Sequence, residues 1–173
     1  YFYSRHNPHD SEKLQRFTPH QVLDDKTRRR GAGWFMDEEH VFEEQSRELN
    51  QMVEAGGEAG VGSHGQLDGL GYHWELWAVA AGGMSNHRAL RIATLHGARG
   101  IGLEEEIGSL EEGKLADLLV LEENPLEDLR HTNTLTRVMK NGRLYDADTL
   151  AELWPREREL EGLYWRGREP GEQ

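Results

Sequence analysis

The chain has 173 residues, of which 36% are hydrophobic and 30% are charged, so it is long enough for one ordinary domain but poor in core-forming side chains. It contains no cysteine, which excludes disulfides and thiolate metal sites and leaves only His, Asp and Glu as metal ligands. The net charge of -12 argues against a nucleic-acid surface, because phosphate binding needs clustered Lys and Arg.

Membrane and polyanion binding also lack support in the sequence. No run approaches the roughly 18 apolar residues of a membrane span, and no basic and apolar leader begins the chain, so we expect neither a span nor a targeting signal. The one basic cluster, Arg28-Arg29-Arg30, is interpreted as a solvated turn rather than a polyanion site. The sequence leaves the compartment open.

The first part of the chain changes character near residue 36. Residues 1–35 show no sustained periodicity, contain Pro8 and Pro19, and mix aromatic with charged side chains, which predicts a long ordered loop. Apolar side chains then recur at helical spacing until a Gly-Gly pair, which predicts a helix over residues 37–55.

The middle of the chain reads as a short strand followed by two helices. Residues 58–62 are predicted to form a strand that delivers a side chain into the loop at 63–65. An apolar and aromatic stretch predicts a helix over 73–81, and a wide apolar stripe predicts another over 85–99, with Ser85 as its N-cap.

After residue 102 the period of the pattern changes to two, which is typical of β-structure. A strand is predicted over 116–121. The segment LTRVMKNGRLYD predicts a hairpin with Asn141-Gly142 as a type I′ turn. Residues 150–173 are predicted to hold a short amphipathic helix and then a disordered charged tail.

An ordered series of motifs resembles one enzyme family. The run ADLLVLEENPLEDLRHTNTLTRVMKNGRLYD, preceded by GSLEEGK, closely resembles the C-terminal signature of the amidohydrolase superfamily. The match continues upstream through ALRIAT. The segments GSHGQLDGLGYHWELW and YFYSRHNPHDSEKLQRF resemble a branch of the family that is often fused to a TolB-like or PD40 propeller. The resemblance covers residues 1–155.

The resemblance implies an α/β fold that is only partly contained in this chain. A complete (β/α)₈ barrel of this kind takes about 250 residues. Residues 1–102 would be the last β/α units of the barrel, with residues 58–62 as strand eight. Residues 103–149 would be β-hairpins of a small composite β-sandwich domain, and residues 150–173 a C-terminal helix and tail.

The resemblance also implies a divalent metal, with zinc as the expected ion, and a small amide or peptide-like substrate. Such a metal lowers the pKa of a bound water, so that hydroxide attacks the C–N bond at neutral pH. Family members hold the metal through a His-x-His pair after the first strand and further ligands after later strands. This sequence contains no His-x-His, so we expect most ligands to lie elsewhere and the isolated chain to be inactive.

Four residues of the chain are candidates for the site. His64, where the family usually has an aspartate after strand eight, could be a metal ligand or a proton shuttle; the alternative is a loop histidine held by a backbone carbonyl. Asp68, a further candidate for the substrate pocket, could orient a residue of the site through a hydrogen bond without touching the metal. His73 and Glu75 could line the substrate pocket, but positions i and i+2 of a helix face different ways, and both could simply belong to a helix N-terminus.

A non-enzymatic reading remains as the alternative. The exposed faces of an unfinished barrel would be apolar, and such faces usually bind a partner or a second copy. The partner would then be the missing N-terminal part of the barrel or the chain itself. Size-exclusion chromatography can distinguish the hypotheses, because a well-behaved monomer would count against an interaction or oligomerisation module.

Overall fold

The structure is a computed structural model that describes residues 1–27, 36–64 and 67–165. The arginine triplet Arg28-Arg29-Arg30 and the end of the charged tail, residues 166–173, lie outside these ranges. None of the described helices is long and apolar enough to cross a membrane.

The N-terminal segment is helical in short pieces. It forms α1 (Phe2–Arg5), a 3-10 turn (Pro8–Asp10), α2 (Glu12–Phe17) and α3 (His20–Thr27). Ser11 caps α2 by accepting a hydrogen bond from the backbone N–H of Leu14. Leu14 and Leu23 are buried in the core. The prediction of a loop over residues 1–35 is therefore wrong for the described part, because helices this short are stabilised by packing and show little periodicity.

The next two helices agree in kind with the prediction and differ in their ends. A 3-10 turn (Asp37–Glu39) precedes α4 (Phe42–Glu54), and α5 spans Leu70–Ala80. The helix predicted over 37–55 therefore begins at residue 42, and the helix predicted over 73–81 begins three residues earlier. Helix α5 is apolar on nearly all sides, as expected for a helix in the centre of a core.

The helix predicted over 85–99 is one helical run with a wide turn inside it. It consists of α6 (Asn86–Arg91), a π-helical turn (Ile92–His96) and α7 (Gly97–Gly100). Ser85 caps the run, as predicted, by accepting a hydrogen bond from the backbone N–H of Arg88. At the wide turn the hydroxyl of Tyr72 donates to the carbonyl of Ala93 at 2.8 Å, which ties α5 to this run.

The strand predicted over residues 58–62 is absent. The segment is irregular, although it lies against the last helix: a Cβ built on Gly60 would lie 3.5 Å from the Cα of Gly97. Arg99 also forms an ion pair with Glu58 at 2.9 Å. A parallel strand needs neighbouring strands to complete its hydrogen bonds. All strands of the described residues lie in the C-terminal sheet, and none of them pairs with this segment.

The C-terminal region forms a four-stranded antiparallel sheet with the order β1-β2-β3-β4. Its strands are β1 (Leu118–Leu121), β2 (Leu135–Lys140), β3 (Arg143–Asp146) and β4 (Glu152–Trp154). A 3-10 turn (Leu129–Asn133) lies between β1 and β2. The predicted hairpin is confirmed, since Asn141 and Gly142 both have positive φ angles, 50° and 76°, as a type I′ turn requires.

The hairpin turn is anchored to the segment that enters β1. The carboxylate of Asp117 accepts hydrogen bonds from the side chain of Lys140 and from the backbone N–H of Asn141. The N–H of Gly142 donates to the carbonyl of Ala116 at 3.0 Å. The hydrogen bond from Lys140, followed by that from Asn141, lowers the pKa of Asp117.

The helix predicted after residue 150 is wrong, because this segment forms β4 instead. Leu150 has a φ of 57°, which interrupts any helix there. Pro155 also disfavours a helix, because it has no N–H to donate within one. For the same reason it cannot extend the sheet, and β4 ends at Trp154. The sheet therefore continues past residue 149.

The buried core belongs almost entirely to the helical part. One cluster joins α2, α3, α4, α5 and α6 and reaches the β-region through a single side chain, Leu129. Its fully buried members include Leu67, Leu76 and Ile92. In contrast, Leu119 on β1 is 59% exposed.

Two adjacent glycines after α5 provide a matched test of this packing. A Cβ at Gly82 would lie 2.2 Å from the backbone N of Arg47, whereas a Cβ at Gly83 meets nothing within 4 Å. We expect Gly82→Ala to lower the free energy of unfolding by about 3 kcal/mol through overpacking against α4. Gly83→Ala, where φ is +96°, should cost only about 1 kcal/mol for the left-handed conformation. Urea unfolding of both variants measures the difference, and equal losses would show that α4 does not pack closely here.

Candidate functional site

His64 ends the irregular segment after α4 and lies in an uncommon backbone conformation. Its φ of 54° is in the left-handed region, which few residues other than glycine adopt. The side chain is exposed and makes no hydrogen bond to another residue of the described ranges. In the described residues, no backbone carbonyl holds the imidazole of His64, contrary to the alternative interpretation. Its imidazole faces outward.

Asp68 lies on the outer side of the same loop. Its side chain is 81% exposed, and its carboxylate lies 3.9 Å from Nζ of Lys26. A weak ion pair at this exposure contributes little to stability. The structure therefore places Asp68 in solvent beside α3.

His73 is buried in a hydrogen-bonded cluster between α5 and the 3-10 turn of the β-region. Its Nδ1 lies 3.2 Å from the hydroxyl oxygen of Thr132. Trp77 donates its indole N–H to that same oxygen and to the carbonyl of Leu129, each at 3.1 Å. The Thr132 hydroxyl also hydrogen-bonds to the carbonyl of Leu129 at 2.9 Å, so its oxygen is the common partner of both rings. We call these four residues the junction cluster.

The environment of His73 favours its neutral form. Burial lowers the pKa of His73, and the positive charge of Lys13 lowers it further. The residue therefore holds two parts of the fold together, and the structure does not place it in a substrate pocket.

Glu75 lies on another face of α5 and lines a cavity of about 170 Å³. Apart from the aromatic residues, its polar side chains are Ser63 and Glu75, and the remaining walls are aromatic, aliphatic or small. The lining residues are Phe2, Tyr3, Ser63, Leu67, Gly71, Trp74, Glu75 and Ala78. His73 and Glu75 thus serve different surfaces, as their i, i+2 spacing requires. We call this space the Glu75 cavity.

A larger cavity, of about 360 Å³, shares the side chain of Phe2 with the Glu75 cavity. Its walls include Tyr1, Phe42 and Trp77, together with the guanidinium of Arg130, which lies 5.2 Å from the ring centre of Trp77. Sequence reasoning missed both cavities, because their walls combine α1 with α5 and the loop segments. The aromatic residues at the start of the chain were the available signal.

The described residues do not fit a metal centre. In residues 1–27, 36–64 and 67–165, no group of three His, Asp or Glu side chains is close enough to hold a metal ion. Nδ1 of His73 is engaged with Thr132, and Asp68 faces solvent beside Lys26. No catalytic step through a metal can be assigned to these side chains.

The sequence model of the Amidohydrolase family matches residues 21–145. This range is well over half of the chain, and the chain belongs to the amidohydrolase family. The α/β fold class with the end of an amidohydrolase barrel is thereby confirmed, although strand eight is not formed.

Two curated relatives match shorter stretches. A 5-methylthioadenosine/S-adenosylhomocysteine deaminase of Teredinibacter turnerae is 39% identical over 62 residues, which is 36% of this chain and 14% of that protein. An ochratoxinase of Aspergillus niger is 38% identical over 73 residues, which is 40% of this chain and 15% of that protein.

Two solved structures are similar in fold. A Xaa-Pro dipeptidase with bound methionine superimposes with a TM-score of 0.52 and 30% identity over 58% of this chain and 25% of its own. A Bifidobacterium longum protein assigned as a prolidase gives a TM-score of 0.50 and 36% identity over 65% of this chain and 26% of its own. The chain therefore spans about a quarter of the length of these solved relatives.

The junction cluster can be tested by removing one hydroxyl. We expect Thr132→Val to lower the free energy of unfolding by about 1–3 kcal/mol, because buried Nδ1 of His73 loses its partner while the side-chain shape is kept. Thr136→Val on β2 is the matched control, since that hydroxyl is exposed and its loss should change stability by less than about 0.5 kcal/mol. Urea unfolding measures both. Equal small effects would mean that the cluster adds no stability.

The lowered pKa of His73 predicts a pH dependence of stability. Because the folded-state pKa lies below the ordinary value of 6.5, the unfolded chain takes up the proton first as pH falls. The contribution of His73 to the free energy of unfolding should thus be fully present above pH 6.5, and it should be lost as the pH falls from there to the folded-state pKa. Unfolding at pH 7.5 and 5.5, where carboxylates are still ionised, should show a smaller loss for His73→Asn than for the wild type. An identical loss would assign the effect to another group.

Proposed function

We propose that these residues are the C-terminal part of a metal-dependent hydrolase that cleaves a C–N bond in an amide or peptide-like substrate. The part described here supplies scaffold, a loop histidine and a wall of the substrate site. The metal, with zinc as the expected ion, would be held by segments that the longer relatives have beyond the matched region. The propeller fusion expected for this branch remains a prediction.

The family match over residues 21–145 is the observation that carries this proposal. The names of the similar proteins support the bond class, since two of the structures similar in fold are a Xaa-Pro dipeptidase and a protein assigned as a prolidase. The absence of a ligand cluster from the described residues supports an inactive isolated chain.

His64 is the residue through which we connect this segment to the reaction. It lies in the loop that follows the position of strand eight, and active sites of (β/α)₈ barrels lie at the ends of the strands. Its imidazole is exposed and points away from the core. Histidine is the side chain that most often carries protons in the neutral range, so we assign proton transfer to His64.

The proposal predicts no turnover by the isolated chain and a strong effect of His64 in a longer protein. The purified 173-residue chain, given zinc and a panel of dipeptides or cyclic amides, should not hydrolyse any of them. In a protein that also contains an upstream segment with a His-x-His pair, His64→Ala should reduce kcat by about 100-fold or more.

Exposed His87 on α6 provides the control, because His87→Ala removes an exposed histidine from a different element and should keep kcat within a factor of about two. Turnover by the isolated chain that disappears in His64→Ala would overturn the proposed inactivity. A longer protein with unchanged kcat in His64→Ala would overturn the role of that residue.

A further inference from the structure

The Glu75 cavity combines one carboxylate with an aromatic wall. Tyr3 and Trp74 meet edge to face with ring centres 4.8 Å apart, and Phe2 stacks on Trp74 at 5.8 Å. These contacts fix the rings as a preformed surface on the α1 side of the cavity. Helix α5 lies against the loop at Gly71, where a Cβ would meet Cβ of Ser63 at 3.6 Å, an ordinary van der Waals distance.

In the described part of the chain, no cationic side chain lies beside Glu75. None of the lining residues is a Lys or Arg, and Glu75 makes no ion pair or hydrogen bond with another residue in the described part of the chain. Its side chain is half-buried, so part of its water is replaced by protein. A partly desolvated carboxylate without a partner is unfavourable, and an ammonium group relieves this cost.

The aromatic wall favours the same ligand charge. Aromatic rings attract organic cations within about 6 Å of their centres, which is how aromatic cages hold ammonium groups. The volume of about 170 Å³ is close to that of an apolar cavity of about 150 Å³ that holds benzene, so the ligand can have roughly six heavy atoms.

We propose that the Glu75 cavity binds the ammonium group of a small amine, with Glu75 as its counter-ion and Phe2, Tyr3 and Trp74 as its apolar wall. The link between this binding and the reaction rests on the proposed function, because hydrolysis of a peptide-like C–N bond involves an amine-bearing substrate or product. The cavity adjoins the His64 loop through Ser63. The binding itself does not depend on turnover.

Cyclopentylammonium is a suitable probe, and neutral cyclopentanol is its isosteric control. Two-dimensional ¹H–¹⁵N NMR of the 173-residue chain would follow the indole N–H of Trp74, which is buried without a hydrogen-bond acceptor in the described structure, and the backbone amide of Gly71. Trp74→Phe assigns the indole signal by its disappearance. Cyclopentylammonium should shift both signals in a saturable way, and cyclopentanol should bind at least about 10-fold more weakly.

Matched variants separate the local carboxylate from the overall charge of -12. Glu75→Gln should weaken cyclopentylammonium binding at least about 10-fold, and Glu75→Asp, which keeps the charge, should retain binding within a few-fold. Glu48→Gln removes the same charge from an exposed position on α4 and should leave binding unchanged.

Three results would overturn the assignment. Equal binding of cyclopentanol would show a purely apolar cavity, equal loss in Glu48→Gln would show a long-range charge effect, and shifts confined to other residues would place the amine elsewhere. Because these measurements use the isolated chain and no reaction, they can fail while the proposed hydrolase function holds. The activity test can likewise fail while the amine binds.

Discussion

The hydroxyl of Thr132 is the interaction on which the arrangement of this structure depends. Its oxygen accepts from the indole N–H of Trp77 and hydrogen-bonds with Nδ1 of His73 and the carbonyl of Leu129, so one side chain satisfies three buried polar groups. Leu129 is also the one member of the main core cluster that comes from the β-region. The helical part and the sheet therefore share little apolar core, and directional hydrogen bonds, including those from α2 to the β-region, help to set the geometry of their contact.

This junction fixes the rotation of α5, and the rotation decides what each face of the helix does. With His73 and Trp77 turned toward the β-region, Trp74, Glu75 and Ala78 must face the α1 side and the His64 loop. A helix that is apolar on nearly every side could otherwise pack in several orientations. Buried polar pairs select one of them, which is the best-attested use of polarity in a core.

Elements that depend on local residue types were predictable from the sequence. The type I′ turn follows from Asn141-Gly142, and the start of α6 follows from Ser85. Elements that depend on partners distant in sequence were not. Residues 58–62 were predicted as a strand from their place before a glycine-flanked loop, but no strand of the described residues pairs with them.

The candidate site divides in the same way. His64 could be found from the sequence because it lies directly after the segment that the resemblance identifies as strand eight. The structure adds its left-handed backbone conformation and its exposure. The Glu75 cavity could not be found from the sequence, because its wall brings Phe2 and Tyr3 against residues of α5. Spacing within one helix separates His73 from Glu75 but does not indicate which of them meets a cavity.

The C-terminal family signature and the Glu75 cavity lie in different residues of this chain. Within ADLLVL, Asp117 holds the turn of the β2–β3 hairpin, and at the end of the same signature Asp146 accepts hydrogen bonds from Thr149. Turns of this geometry accept few residue types, so the signature reports the fold of the β-region whatever the substrate. Ser63, Trp74 and Glu75 lie upstream of this C-terminal signature, in the segment that resembles one branch of the family, where a change of side chain alters a cavity and leaves the hairpins intact. A family can therefore keep one scaffold at this end while the chemistry that its members accept varies.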